Sequence, residues 1–142
     1  MKELRVLAEI QNIERVNAFV DEQLEPYELS PKAAAQLHIA VDELFGNIAR
    51  YAYAPGVGSA VIRMEIEEEP LAVNLVFIDR GVPYDPLAKE DPDVTLPANE
   101  RPLGGLGIYM VKKCMDAFSY EYKDGYNCVR IKKYLTERGK TA

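Results

Sequence analysis

The chain is poor in the residues on which several kinds of active site depend. Its 142 residues include one histidine, His38, and two cysteines, Cys114 and Cys128, which stand in no CxxC or Cys/His ligand spacing. A structural zinc site is therefore not expected. A nucleophile activated by histidine would have to use His38, which lies in a helical pattern far from any nucleophile motif.

The chain also lacks long apolar runs and an apolar leader. No run approaches the roughly 18 residues that a membrane helix needs. The N-terminus is charged from Lys2 onward and has no apolar signal core. We therefore expect a cytoplasmic protein without a membrane partner.

Basic residues are fewer than acidic ones, 17 against 23, so the net charge is −6. An acidic chain is a poor candidate for a nucleic-acid partner. Residues 112–142 are the exception, with 8 basic and 4 acidic side chains, and we interpret them as a solvated amphipathic end. The length and the apolar fraction of 48% fit one globular domain spanning residues 1–142.

Periodicity and turn signals predict eight elements in the order β-α-α-β-β-α-β-β. They are a strand at 3–9, helices at 11–25 and from 31 to about 51, strands at 60–67 and 71–79, a helix after 107, and hairpin strands at 118–123 and 126–135. The last helix is predicted from Ile108, Val111, Met115 and Phe118 at steps of three and four. This order indicates an α+β fold. We expect a two-layer sandwich with a mixed, mostly antiparallel sheet of about five strands and three helices on one face.

The first candidate site motif is Glu43-Leu-Phe-Gly-Asn47 on the second predicted helix. Residues four apart lie one above the other on a helix, so Glu43 and Asn47 share a face. A carboxylate and a carboxamide there can hold a hard cation or position a hydroxyl group. A solvated helix face would explain the same pair.

The second motif is Asp79-Arg-Gly81 at the end of the apolar strand 71–79. Alternation places Asp79 on the same face as the apolar row of that strand. The carboxylate can accept a hydrogen bond from a ligand amine, and Gly81 lets a flat ligand approach the backbone. An ordinary turn at a strand end is the alternative.

The third motif is Gly104-Gly105-Leu106-Gly107, which leads into the predicted third helix. Backbone N–H groups at a helix N-terminus bind anions, and glycines allow phosphates to come close. A flexible helix entry is the alternative. The long segment 80–103 precedes this motif, in the position of a lid over a nucleotide.

In this order the three motifs resemble the N, G1 and G2 boxes of the Bergerat ATP-binding fold, which gyrase, histidine kinases and MutL share. The branch most resembled is the stand-alone anti-sigma-factor serine kinases. Further matches are the run Asp79-Arg-Gly-Val-Pro-Tyr-Asp85-Pro86, the run from Arg101 to Gly107, and Asp116 and Tyr120 followed by Gly125-Tyr-Asn127. Many members have histidine one turn after the asparagine, where this chain has Arg50-Tyr51.

The resemblance implies a role for each matching position. Asn47 would coordinate Mg²⁺, and Glu43 would be the general base for a protein serine hydroxyl. Asp79 would bind the adenine amino group, with Gly81 against the ring. The phosphate contacts implied are Arg101, Gly104, Gly105 and Gly107.

The resemblance thus implies an ATP- and Mg²⁺-dependent serine protein kinase that is also an anti-sigma factor. Its substrate would be a serine on a small anti-anti-sigma partner, and its other partner a sigma factor or another signalling protein. Such kinases are typically homodimers, so a homodimer is expected. The alternatives are an ATP-gated binding module without phosphotransfer, a slow ATPase, and an α+β scaffold that binds no nucleotide.

Overall fold

One antiparallel sheet of five strands organises the part of the chain that the structure describes, residues 1–88 and 106–135 of a computed structural model. The elements are β1 (Lys2–Leu7), α1 (Ile13–Leu24), α2 (Pro31–Asn47), β2 (Ser59–Glu68), β3 (Leu71–Asp79), α3 (Leu106–Cys114), β4 (Ala117–Lys123) and β5 (Tyr126–Tyr134). The strand order is β1-β2-β3-β5-β4. The predicted α+β class, with five strands and three helices, is confirmed.

The inward face of β3 forms the centre of the sheet. Val73, Leu75 and Phe77 are at most 1% exposed, because alternate residues of a strand point to the same side. Asp79 is next in this row, as predicted, and is buried as well. In register, Asp79 lies between Ala60 of β2 and Asn127 of β5. The inward apolar row of β3 therefore ends in one buried carboxylate.

The second helix covers this face and starts where the sequence predicts. The Ser30 side chain accepts a hydrogen bond from the backbone N–H of Ala33, and Pro31 is the first helical residue. Leu37, Val41 and Leu44 form its buried stripe. After Asn47 the chain continues in one π-helical turn, Ile48–Ala52. The regular helix is thus shorter than predicted, and the wider turn replaces its last part.

The third helix ends earlier than its apolar spacing predicts. Ile108 and Val111 are buried in α3, but the helix ends at Cys114 and Phe118 lies in β4. Buried Lys133 of β5 donates from Nζ to the Cys114 carbonyl oxygen at 2.7 Å, which satisfies a helix-end acceptor. Phe118 continues the apolar spacing of α3 in the sequence but belongs to β4 in the structure.

The buried side chains of all three helices and of the strands join one core cluster. The two strands β4 and β5 meet at the predicted Asp124-Gly125 turn, where both residues have positive φ, 54° and 85°. None of the helices in the described ranges combines the length and the apolar character needed to cross a membrane.

Candidate functional site

A cleft lies between the last turns of α2 and the adjoining ends of β3 and β5. Its empty volume is about 370 Å³ when the part open to solvent is included. Its lining residues come from three stretches of the chain: Leu44, Asn47, Ile48, Tyr51, Ala52, Asp79, Val82, Tyr84, Pro86, Asn127 and Val129. The fold thus brings the predicted residues Asn47 and Asp79 to one cleft.

Asp79 is the buried acidic group of this cleft, only 5% exposed. Its Oδ1 oxygen accepts hydrogen bonds from the backbone N–H of Gly81 at 2.8 Å and from Nδ2 of Asn127 at 2.9 Å. Burial raises the pKa of Asp79, and these two hydrogen bonds offset part of that rise. The Oδ2 oxygen accepts no hydrogen bond from the described residues, so it can accept one from a ligand.

Gly81 is required at its position by close packing against the protein itself. A Cβ atom there would lie 2.1 Å from the backbone oxygen of Ala52. The next residue, Val82, donates its N–H to the same oxygen at 2.9 Å. The chain after β3 is therefore pinned to the π-helical turn. The predicted contact of Gly81 with a base stays a prediction.

Glu43 and Asn47 lie side by side on α2, as their spacing predicts. Asn47 donates from Nδ2 to Glu43 Oε1 at 3.3 Å, and Arg50 donates to Asn47 Oδ1 at 3.2 Å. Asn47 is 9% exposed, whereas Glu43 is half-buried. A carboxylate, a carboxamide and a guanidinium group thus form one polar row beside the apolar cleft.

Gly107 joins the third motif to the first. A Cβ atom on Gly107 would lie 2.1 Å from Oε2 of Glu43, so the first turn of α3 packs against this carboxylate. A negative charge near a helix N-terminus is favourable. Arg101, Gly104 and Gly105 lie outside the described residues, and their assignment to phosphates rests on the motif alone.

The candidate metal ligand is one carboxamide rather than a cluster. Among residues 1–88 and 106–135, no three His, Cys, Asp or Glu side chains are grouped to hold a metal ion. Mg²⁺ is commonly bound by one or two protein groups together with substrate phosphates and water. The Oδ1 oxygen of Asn47 is chemically compatible with one position in such a site, with phosphates and water as the other ligands.

Two site features were missed by the sequence reasoning about individual residues. Asn127 is 3% exposed and contacts Asp79 directly, yet it entered only as part of a matching motif. A polar residue on the inward row of β5, just after a tight turn, is the signal that could have found it. The second feature is aromatic: Tyr51 and Tyr84 line the cleft with their ring centroids 5.9 Å apart.

Comparisons with known proteins identify the family of the chain. Residues 6–133 match the family model described as histidine kinase-like ATPase domain. The serine/threonine-protein kinase BtrW of Bordetella bronchiseptica is 31% identical over 91 residues, which are 64% of this chain and 63% of that protein. The serine-protein kinase RsbW of Bacillus cereus is 30% identical over 103 residues, 70% of this chain and 62% of that protein. The chain thus spans slightly less than two thirds of the length of these curated relatives.

Two solved structures share the fold. The RsbU and RsbW domains of Rv1364c from Mycobacterium tuberculosis align with a TM-score of 0.63 at 17% identity, covering 95% of this chain and 33% of that one. The histidine kinase domain of the blue-light activated kinase EL346 from Erythrobacter litoralis aligns with a TM-score of 0.53 at 15% identity, covering 93% and 63%. At these identities the likeness shows the fold alone. With the family model matched over residues 6–133, the predicted family is confirmed: the chain belongs to the histidine kinase-like ATPase domain family.

Proposed function

We propose that the chain is an ATP-dependent serine protein kinase that acts as an anti-sigma factor. The observation that carries the proposal is the arrangement of Asp79, Asn47 and Glu43 along and beside one cleft. Asp79, at the end of β3, offers an acceptor for a nucleotide base. Asn47 offers a ligand for a metal ion, and Glu43, beside α3, offers a carboxylate that can accept a proton. The names of the relatives BtrW and RsbW, both serine kinases, support the same reaction.

The lining of the cleft suits adenine in its chemistry. Apolar side chains line most of it, and Asp79 supplies the acceptor oxygen for the amino group of the base. Tyr51 and Tyr84 provide aromatic surface at the same cleft.

The polar row on α2 suits the phosphates and their ion. Asn47 would hold Mg²⁺ through Oδ1, the oxygen to which Arg50 now donates. When bound, the ion neutralises charge on the phosphates. Gly107, at the start of α3, lets the helix backbone approach the Glu43 carboxylate, where a Cβ atom would lie 2.1 Å from Oε2. The motif adds Gly104, Gly105 and Arg101 as further phosphate contacts.

Glu43 is the proposed general base. The serine oxygen bonds to the γ-phosphorus, the bond from that phosphorus to the β–γ bridging oxygen breaks, and ADP leaves. The hydroxyl proton of the serine passes to the Glu43 carboxylate. Phosphoryl transfer depends mostly on positioning and charge stabilisation, so this small set of groups is sufficient.

The proposed substrate is a serine of a small anti-anti-sigma protein. The second partner is a sigma factor or another signalling protein, which the kinase sequesters until the antagonist competes for it. We also infer a homodimer and a cytoplasmic location. The relative named serine-protein kinase RsbW supports a protein serine as the phosphate acceptor.

The test is transfer of labelled phosphate from ATP, with Mg²⁺, to a candidate anti-anti-sigma protein of the same genome. The wild type should label one serine, and Glu43→Gln should lower the rate by about 10²–10⁴-fold, as removal of a general base does. ATP binding should persist in that variant. The control is Glu65→Gln, an exposed glutamate of β2 whose replacement should leave the rate unchanged. Equal rates in Glu43→Gln and the wild type would contradict the assignment.

A second candidate function is an ATP-gated binding module without transfer. The observation that favours it is the engagement of Glu43, which accepts from Asn47 and packs against Gly107. A carboxylate held in this way stabilises the site whether or not it moves a proton. ATP-dependent capture of the partner, with no labelled serine in the wild type, would favour this module.

A further inference from the structure

Among the hydrogen bonds within residues 1–88 and 106–135, Asn127 makes more than any other polar side chain of the cleft, and it has no role in the proposal above. It lies at the start of β5, directly opposite Asp79 in the sheet register, and is 3% exposed. Its Nδ2 group donates to Asp79 Oδ1 at 2.9 Å and to the backbone oxygens of Val82 at 3.0 Å and Gly81 at 3.3 Å. One carboxamide therefore links the acidic group to the chain segment that follows it.

The other end of the same carboxamide fixes its orientation. The Oδ1 oxygen of Asn127 accepts hydrogen bonds from the backbone N–H of Tyr84, at 3.2 Å, and from the hydroxyl group of Tyr120. A backbone N–H can only donate, so the oxygen must face Tyr84 and the NH₂ group must face Asp79. Asn127 thus presents a donor, and never an acceptor, to the Asp79 carboxylate.

This orientation determines what the cleft offers to a base. Asp79 Oδ1 is occupied by Asn127 and by the N–H of Gly81, whereas Oδ2 accepts nothing from the described residues. The donor hydrogens of Asn127 are also engaged by protein oxygens. At this point the cleft therefore offers an acceptor oxygen, which suits an exocyclic amine and opposes a keto oxygen.

We propose that Asn127 is a positioning residue that sets the base selectivity of the cleft, by holding Asp79 and residues 81–84 so that one acceptor oxygen meets the amino group of the base. The inference rests on the proposed function, because it takes ATP as the ligand. If Asn127 is lost, binding of a nucleotide that has the 6-amino group should weaken more than binding of one that lacks it.

The experiment compares two ligands in calorimetric titrations: ATP, and purine riboside triphosphate, which is ATP without the 6-amino group. The wild type should prefer ATP by about 10- to 100-fold, the range for a hydrogen bond to a charged group. In Asn127→Leu the ratio of the two affinities should fall to about one to three, mainly because ATP binds more weakly. The control is Asn74→Leu on the outer face of β3, where the side chain donates to Glu67. This variant should keep the wild-type ratio.

If Asn127 had a purely structural role, Asn127→Leu would bind both ligands more weakly by the same factor. The ratio of affinities would then stay unchanged, and this result would overturn the inference. Thermal unfolding shows whether Asn127→Leu folds. If it does not, Tyr120→Phe decides, because this change removes only the hydroxyl group that helps to orient the carboxamide. A ratio at least about threefold lower supports the inference, and an unchanged ratio overturns it.

Nucleotide binding and the role of Asn127 are contradicted by different results. A wild type that binds neither triphosphate contradicts the proposed function and the inference together. A wild type that binds both ligands equally, or variants that keep full discrimination, overturn the role of Asn127 while leaving nucleotide binding intact.

Discussion

Replacing Asp79 by asparagine should weaken ATP binding and stabilise the fold at the same time. The substitution keeps the shape of a side chain that is 5% exposed and keeps one oxygen for the donors Gly81 and Asn127. It changes the second oxygen, which faces the ligand in our proposal, into an NH₂ donor. An amino group of the base would then meet a donor instead of an acceptor.

The magnitude of the binding loss follows from two contributions. A hydrogen bond to a charged group is worth about 1.5–3 kcal/mol, and a donor buried without an acceptor costs about 1–3 kcal/mol. Together these predict at least about 50-fold weaker binding of ATP, since about 1.4 kcal/mol corresponds to a factor of ten. Binding of purine riboside triphosphate should change less, because that ligand has no amino group.

The stability effect has the opposite sign because burial raises the pKa of Asp79. Because the pKa of Asp79 is higher in the folded state, folding carries no free-energy cost from this group while it is protonated. The free-energy cost of burying the ionised carboxylate grows as pH rises from the unfolded pKa through the folded pKa, and it is fully present above the folded value. At neutral pH Asp79→Asn removes this cost, so the Tm of the nucleotide-free protein should rise. Near pH 4 this rise in Tm should be smaller, because Asp79 of the wild type is then more often protonated.

The assay combines calorimetric titration of ATP with thermal unfolding at neutral and acidic pH. The matched control is Asp116→Asn, an exposed residue whose carboxylate accepts from the backbone N–H of Tyr134. This control should leave ATP affinity unchanged. Unchanged ATP affinity in Asp79→Asn, or a lower Tm at neutral pH, would contradict the proposed role of this carboxylate.

Two further predictions concern the segments that shape the cleft. Gly81→Ala puts a Cβ atom 2.1 Å from the backbone oxygen of Ala52, and such overpacking costs about 1–3 kcal/mol. Urea denaturation should show that loss, and an unchanged midpoint would contradict the close packing. Tyr53→Phe removes a hydroxyl group that donates to the Ser59 carbonyl at 2.6 Å and accepts from the Arg80 N–H at 2.8 Å. Thermal unfolding should show a loss of about 1–2 kcal/mol, whereas a Tm equal to the wild type would mean that neither bond matters.

Most of the fold could be predicted from the sequence, because local signals and burial patterns agree. Ser30-Pro31 starts α2, and the turn after Lys123 has the Asp-Gly pair that positive φ values require. The apolar run 71–79 coincides with the central strand β3. The end of α3 could not be predicted in this way. The three-residue step from Met115 to Phe118 fits a helix, and only the pairing of β4 with β5 places Phe118 in a strand.

The candidate site was predictable where its residues are close in sequence and not where the sheet brings them together. The pair Glu43 and Asn47 follows from helix geometry, and the burial of Asp79 follows from strand alternation. Asn127 lies 48 residues after Asp79 and meets it only through the β3–β5 register. No local pattern contains that register, because it depends on which strands pair.

The central proposal is that the cleft binds ATP with Mg²⁺ held at Asn47. The most direct test is calorimetric titration of ATP into nucleotide-free wild type and Asn47→Ala, each with and without Mg²⁺. We expect ATP binding that strengthens with Mg²⁺ in the wild type and loses this dependence in Asn47→Ala, whose side chain has no Oδ1 oxygen. No binding at millimolar ATP, or the same Mg²⁺ dependence in both proteins, would contradict it.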